Sequence, residues 1–352
     1  MSNFRIGILG ATGAVGQRFI QLLQDHPWFR IHALFASDRS SGQSYREACT
    51  WRLPTPLPEP VAAMPVYPCE PRHASGLDLV FSALPSSSAK TIEPAFAKAG
   101  YPVISNAGAY RMAEDVPLLI PEVNPDHTRL IPIQQRNRNW SKGYIVTNPN
   151  CSTIGLVPPL KALQEAFGLD QVMVTTMQAV SGAGYPGPPL SEIGDNVLPF
   201  IRGEEEKIES EPKKLLGRFS AGRIIEAPVR LAAQANRVHV SDGHLEAVNF
   251  SLLEDAELEQ VREVLRGFRG VPQQAGLPFA PEHPIVVMDE EDRPQPKKDR
   301  DLGKGMAVAV GRLRPCPLFH FRMMVLSHNT IRGAAGAAIL NAELLVHQGF
   351  VA

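Results

Sequence analysis

The sequence is poor in cysteine. Its 352 residues contain four, Cys49, Cys69, Cys151 and Cys316. None are paired as C-x-x-C, and no Cys/His cluster has zinc-site spacing. This argues against a disulfide framework and a bound metal, and a reducing cytoplasm is the expected compartment. Net charge is also scarce, at -1, which leaves no electrostatic case for nucleic acid or an anionic membrane. One basic stretch, residues 134–142, is too short in a neutral chain to change that and reads as an exposed loop. No apolar run approaches the ~20 residues of a membrane span. The chain opens into a strand-like segment, without a basic n-region or an apolar signal core. No solenoid-type repeat is found.

An apolar fraction of 44% suits a globular protein with sizeable cores, and the length suits two domains better than one. Residues 4–9 read as a short buried strand. Gly10, Gly13 and Gly16 follow in G-x-x-G-x-x-G spacing, and then comes helical apolar spacing at Phe19, Ile20, Leu22 and Leu23. Strand, glycine turn and helix N-terminus together form a cradle for a pyrophosphate: the glycines let the backbone come close, and free N–H groups point at the anion. A second strand over residues 31–36 ends at Ser37, Asp38, Arg39, Ser40 and Ser41, where a dinucleotide fold reads the adenosine ribose. Asp38 would suit a free 2′-hydroxyl. Arg39 with the serines would suit a 2′-phosphate, and this set holds more donors, so NADP is expected.

Residues 51–71 are dense in proline and read as loop and edge structure. Strands over residues 77–84, 101–105 and 144–147, with a helix from Ser86 to about Ala99, continue the alternation. That pattern predicts an α/β fold built on a parallel, doubly wound sheet whose ligands sit at the carboxyl ends of the strands. Asn106 and Arg111 lie just past such an end.

At Asn148-Pro149-Asn150-Cys151-Ser152-Thr153 the chain changes character. A thiol at a helix mouth meets unpaired N–H groups and the positive end of the dipole, which favour the nucleophilic thiolate. The helix runs on to Phe167, and Pro158-Pro159 is expected to kink or restart it. A strand over residues 171–179 ends in a second glycine-rich loop with Ser181, Gly182 and Gly184. Residues 203–214 are highly charged, with Glu204 and Lys207 on one helical face. Arg237 and His244 flank a Gly243 turn and could converge as anion clamp and proton carrier. Residues 254–268 read as an amphipathic helix and 288–301 as a solvated charged loop. Residues 305–312 and 319–326 read as strands. Residues 330–347 read as a helix whose Ala/Gly repeats permit close packing back onto the first sheet.

Several stretches together resemble the aspartate-β-semialdehyde dehydrogenase family, in the branch found in archaea and fungi. They are GATGAVG at Gly10, SNAGAYRM at Ser105, IPEVN at Ile120, NPNCST at Asn148, QAVSGAG at Gln178, NRV..SDGH at Asn236 and SHNTIRGAAGAAILNAELL at Ser327. They span nearly the whole chain in the family's order. The resemblance implies an N-terminal Rossmann-like domain over residues 1–150 and an α+β catalytic and dimerisation domain over 151–326. A C-terminal helix within 327–352 would return to the first domain.

The same resemblance makes Cys151 the nucleophile, Gln178 the residue that orients the thiohemiacetal and His244 the general acid/base. Arg237 would clamp the substrate carboxylate, and Glu204 would meet its ammonium. Arg111, Asn150 and Lys207 would hold phosphate or the acyl phosphate. Gly10, Thr12, Gly13, Ala14, Val15 and Gly16 would form the cofactor loop, Ser37, Arg39 and Ser40 would bind the 2′-phosphate of NADP, and Ser181, Gly182 and Asn329 would complete the cofactor site. His239 stands where that branch commonly has Pro. The implied reaction is NADP-dependent reductive dephosphorylation of L-4-aspartyl phosphate to L-aspartate 4-semialdehyde, in a homodimer or homotetramer. Malonyl-CoA reductase on the same scaffold and a non-catalytic nucleotide-binding relative are the alternatives.

Overall fold

The computed structural model describes residues 3–351. Met1, Ser2 and Ala352, the ends of the expected first domain and C-terminal segment, lie outside these. The strands are β1 (Phe4–Leu9), β2 (Phe29–Ala36), β3 (Val66–Pro68), β4 (Leu79–Ser82), β5 (Pro102–Ser105), β6 (Tyr144–Thr147), β7 (Leu169–Gln178), β8 (Val197–Leu198), β9 (Arg218–Ser220), β10 (Arg223–Ile225), β11 (Arg230–Val238), β12 (His244–Leu252), β13 (Ile285–Val287), β14 (Val308–Pro315) and β15 (Phe321–Ser327).

The first sheet is all parallel in the order β3-β2-β1-β4-β5-β6, the doubly wound arrangement expected. Its hinge is the glycine turn. Gly10 has φ +78°, and a Cβ there would lie 2.8 Å from the Ala83 carbonyl oxygen. A Cβ at Gly16 would sit 2.3 Å from the Gly10 oxygen, so no other residue fits where the helix Ala14–Leu23 meets the strand. Along the carboxyl ends the register aligns Ser82, Ser105 and Thr147 in one row. The proline-dense stretch yields only a short helix, Glu59–Ala62, and the edge strand β3.

The expected exposed loop over residues 134–142 is confined to 139–142. A helix, Ile131–Arg138, covers the free edge of β6. Its buried Gln134 accepts from the Ile145 N–H at 2.7 Å and donates to the Ile145 carbonyl at 2.9 Å. One side chain thereby supplies both hydrogen bonds of a missing neighbouring strand, which a buried edge requires. The low apolar content of this helix hid it.

The second sheet is mixed, in the order β13-β14-β15-β12-β7-β11-β8. One face packs on the helix Thr153–Phe167, where Ile154, Leu156 and Leu160 meet Val172, Val174, Val248 and Phe250. That helix is unbroken through Pro158 and Pro159, so the expected restart does not occur. The opposite face is open: Met173 is 48% exposed, and Thr175, Met177, Leu245 and Ala247 beside it are half-buried. The amphipathic helix is shorter than expected, Leu258–Gly267, because the Glu257 N–H is capped by Gln260 at 2.8 Å. Residues 288–301 are not simply solvated. Asp299 is buried, accepts from Arg293 and the Gln295 N–H, and orders a short helix, Pro296–Asp299.

The C-terminal segment begins with a π-helical turn, Ile331–Ala335, and continues as the helix Gly336–His347. Ile339, Leu340 and Leu344 enter the first sheet's core beside Ile6, Ile8 and Phe81. Among the described residues no helix is long and apolar enough to cross a membrane. The anchor of the segment is Arg332, fully buried, with two N–H groups on Glu122 at 2.7 and 3.1 Å. Leaving Glu122 buried without its partner is costly. Arg332→Met is expected to lower the unfolding free energy by roughly 3–5 kcal/mol, and adding Glu122→Leu to recover much of that loss, both measured by denaturant titration.

Candidate functional site

The loop after β6 is built from asparagine side chains. Asn148 donates to Asn106 Oδ1 at 2.8 Å and to the Ala334 carbonyl at 2.9 Å. Asn150 Oδ1 accepts from the N–H groups of Ser152 and Thr153 at 2.9 and 3.3 Å. This side chain caps the helix, and Cys151 protrudes from the turn it closes. Gly333 permits the C-terminal segment to come close, since a Cβ there would be 3.0 Å from the Cys151 Cβ.

Three strand ends supply the opposite wall. In the β11/β7 register Arg237 faces Gln178, and the β12/β7 register pairs Leu245 with Met177, so His244 emerges alongside. His244 Nε2 is 3.3 Å from Cys151 Sγ. The Ala179 N–H donates to His244 Nδ1 at 3.0 Å, which assigns the neutral ring's proton to Nε2, facing the sulfur. Arg237 donates to the Ala179 carbonyl at 2.9 Å. Gly182 lies against both: a Cβ there would be 2.7 Å from Arg237 Nη1 and 3.0 Å from the His244 ring. The exposed His239 lies outside this cluster, past the end of β11.

The charges are arranged around one carboxylate. Glu204 Oε1 takes Lys207 at 2.7 Å, and Oε2 takes Asn150 Nδ2 at 2.8 Å and Gln178 Nε2 at 3.3 Å. Burial raises this carboxyl, but the Lys207 ion pair and the two amides outweigh it and hold it below its usual value. Burial pushes the Cys151 thiol up to about 12. Glu204 adds to the rise, while Arg111, Arg237 and Lys207 pull against it. Burial, with Arg237 beside it, brings His244 down to about 3. The resting pair is therefore thiol and neutral imidazole. The helix-mouth argument for a thiolate fails here because burial outweighs it, and Asn150 already accepts from the N–H groups of Ser152 and Thr153. Glu246, on the same face of β12, is buried, and burial raises its carboxyl well above the usual range.

A cavity of about 330 Å³ joins these groups to the glycine turn. Of the residues singled out in the sequence, it is lined by Ala14 and Val15, by Arg111, Asn150 and Cys151, by Ser181 and Gly182, and by Glu204, Lys207 and Asn329. Gln178, Arg237 and His244 are buried behind that wall. Asn329 ties two loops together, accepting from the Gly243 N–H and donating to Ser181 Oγ, both at 2.8 Å. Ser37, Arg39 and Ser40 stand apart at the end of β2, on or beside the short turn Asp38–Ser40. A larger cavity, about 480 Å³ near Arg269 and Glu282, gathers none of these groups, so chemistry rather than volume selects the site.

A dinucleotide fits the first-sheet end of the cavity. Gly10, with positive φ, and Gly16, pressed on the strand, make the turn. A Cβ on Gly13 would meet only the Gly10 oxygen, at 3.5 Å, so that backbone stays open to approach. Among the described residues Arg39 has no ion-pair partner, which leaves its guanidinium free for a phosphate at the ribose end.

Sequence reasoning passed over Glu93, Glu211 and Lys214. Lys214 and Glu211 continue the 204, 207 spacing as 211 and 214, and that periodicity was the available signal. Glu93 carried no signal; it is a lone acid inside the helix Ser86–Lys98.

Two family models match the chain: the semialdehyde dehydrogenase NAD binding domain over residues 5–131 and the semialdehyde dehydrogenase dimerisation domain over residues 160–332. The chain is 53% identical over 342 residues to the aspartate-semialdehyde dehydrogenase of Methanothermobacter thermautotrophicus, covering 97% of this chain and 98% of that one. It is 49% identical over 349 residues to that of Archaeoglobus fulgidus, covering 99% and 100%. Among solved structures, the Candida albicans aspartate semialdehyde dehydrogenase with NADP aligns at a TM-score of 0.91 and 43% identity, over 99% of this chain and 100% of that one.

Glu93, bonded to Ser105 at the end of β5, gives the stability of the first sheet a pH dependence. Its Oε1 accepts from Ser105 Oγ at 2.5 Å, and burial pushes its carboxyl up to about 7. The folded state then holds a proton that the unfolded chain releases near pH 4.5. This contribution to stability is complete below pH 4.5 and is lost as pH rises through 7. Glu93→Gln should therefore gain on the parent protein between pH 4.5 and 8, by on the order of 3 kcal/mol, when urea midpoints are compared at both ends.

Proposed function

Since the chain belongs to the aspartate-semialdehyde dehydrogenase family, we infer that it interconverts L-4-aspartyl phosphate and L-aspartate 4-semialdehyde. The cofactor is NADP, and the reaction serves amino-acid biosynthesis toward lysine, threonine, methionine and isoleucine. The observation that carries the reading onto this chain is the Cys151 thiol, 3.3 Å from His244 Nε2, in a cavity walled by Glu204, Lys207 and Arg111.

In the oxidative direction the sulfur of Cys151 adds to the aldehyde carbon as His244 gives its Nε2 proton to the carbonyl oxygen and takes the thiol's proton in its place. NADP, when bound, supplies a hydride acceptor. Hydride would leave the carbon for NADP while the hydroxyl proton replaces one that His244 Nε2 gives up to water, and a thioester would be left on Cys151. A phosphate oxygen then attacks the thioester carbon, the C–S bond breaks, and the sulfur is reprotonated. Arg111 and Lys207 are the cations placed to hold that phosphate, with Asn150 beside them. Arg237 takes the substrate carboxylate and Glu204 its ammonium. Gln178, bonded to Glu204, orients the intermediate. The glycine turn with Thr12, Ala14 and Val15 would hold the pyrophosphate of NADP, and Ser181, Gly182 and Asn329 would complete the cofactor site. Ser37, Arg39 and Ser40 take the 2′-phosphate.

Residues 1–150 act as the cofactor-binding unit, joined by the helix beyond Ser327, and residues 151–326 as the catalytic and dimerisation unit. The open face around Met173 is the natural surface for a second copy, giving a homodimer or a homotetramer of such dimers. The low cysteine content supports a cytoplasmic enzyme.

With aspartate semialdehyde, phosphate and NADP, the purified protein should reduce NADP in a phosphate-dependent manner, followed at the NADPH absorbance. Cys151→Ala should lower the rate roughly ten-thousandfold. A folded protein inert in this assay but active on malonyl-CoA with NADPH would replace the reading. Light scattering is expected to give a multiple of 38.4 kDa, and a clean monomer would refute the proposed assembly.

A further inference from the structure

The helix Glu204–Leu215 carries four charged side chains on one face at intervals of three, four and three residues: Glu204, Lys207, Glu211 and Lys214. The first two line the cavity. The third does not, yet it is buried and both its oxygens are used. Glu211 Oε1 accepts from Arg111 Nη1 at 3.0 Å, and Oε2 accepts from the backbone N–H of Asn150 at 2.6 Å. Arg111 is fixed a second time by Nη2, which donates to the Asn106 carbonyl at 2.8 Å.

Lys214 holds the loop that carries Arg111. Its ammonium donates to the carbonyls of Arg111, Ala113 and Val116 at 2.7, 2.8 and 2.9 Å, which spends all three of its hydrogens. The helix is itself seated by two more carboxylates. Glu205 and Glu209 accept from the N–H groups of Ala235 and Ala233, each at 3.0 Å, along β11.

We propose that Glu211 is a positioning residue: its carboxylate fixes the Arg111 guanidinium against the backbone N–H of Asn150, the residue before Cys151, and so sets the distance between bound phosphate and the thioester it attacks. This rests on the proposed role of Arg111 as a phosphate ligand. Two donors, a guanidinium N–H and a peptide N–H, converge on Glu211, and only a group with two acceptor oxygens satisfies both. Gln keeps the shape but turns an NH₂ toward one of those donors. Asp keeps both acceptors on a shorter stem.

The two half-reactions separate the readouts. Formation of the thioester needs aspartate semialdehyde and NADP but no phosphate, and it appears as a burst of NADPH. Steady-state turnover needs phosphate. Glu211→Gln should retain the phosphate-free burst while raising the KM for phosphate roughly tenfold to hundredfold. Glu211→Asp should recover part of that loss, and it stands in if the Gln variant does not fold. In an Arg111→Ala background, which itself raises the phosphate KM, Glu211→Gln should add less than about threefold, because both act through one group.

An unchanged phosphate KM in Glu211→Gln, or additive effects in the double variant, would overturn the proposal while leaving Arg111 in place. Loss of the burst in Glu211→Gln would overturn it too, by showing that the carboxylate acts on the nucleophile's loop rather than on the guanidinium. An unchanged phosphate KM in Arg111→Ala would instead overturn the role of Arg111, and the positioning role with it.

Discussion

A buried charge must be paired, and the site depends on that constraint at the helix Glu204–Leu215. Six of its acidic and basic side chains find specific partners, and three of them, Glu204, Glu211 and Lys214, are buried. Glu205 and Glu209 bind backbone of β11, Glu204 binds two amides and Lys207, Glu211 binds Arg111 and Asn150, and Lys214 binds three carbonyls. These bonds run from the second sheet to loops of the first. A helix held this way has little freedom to translate, since moving it would strand several charges at once. The price is burial of Lys214, whose ammonium is brought down to about 8 by desolvation.

The same economy sets the state of the nucleophile. Asn150 spends its carbonyl oxygen on two helical N–H groups and its amide on Glu204. It thereby removes the donors that would otherwise have stabilised a thiolate at the helix mouth. What remains to favour ionisation is the set of cations Arg111, Arg237 and Lys207, and burial, the largest effect, opposes them together with Glu204. A resting thiol beside a neutral imidazole is chemically quiet. The sulfur becomes reactive when His244 can exchange its proton with something, and only a carbonyl in the cavity offers that exchange.

Much of this was legible in the chain, and the residues say why. Gly10 and Gly16 are required by backbone contacts under 3 Å, so the glycine spacing reported the turn faithfully. Cys151, Arg237 and His244 lie at strand or helix ends, where position along the chain predicts position in space. Side-chain-to-backbone bonds were not legible. Gln134 looks like a loop residue until β6 is seen to need an edge partner. Asp299 looks solvated until the Arg293 pairing and the Gln295 N–H bury it. Glu211 and Lys214 look like surface charges because their partners are a guanidinium and peptide groups 61 to 103 residues earlier in the chain. Periodicity shows which residues share a face, but not what that face touches.

The two sheets differ in what they ask of sequence. The first sheet positions its ligand with backbone, through glycines, and tolerates little substitution there. The second positions its chemistry with side chains projecting from strand ends, and depends on register. A one-residue slip of β12 against β7 would turn His244 away from Cys151 and bring Leu245 in its place. Register in turn is held by the alternation of Val248 and Phe250 into the core beneath the helix Thr153–Phe167. That helix begins at the Cys151 loop. The apolar packing that fixes the strand therefore also fixes the nucleophile, and the 3.3 Å between sulfur and imidazole is set by the hydrophobic core on which both elements rest.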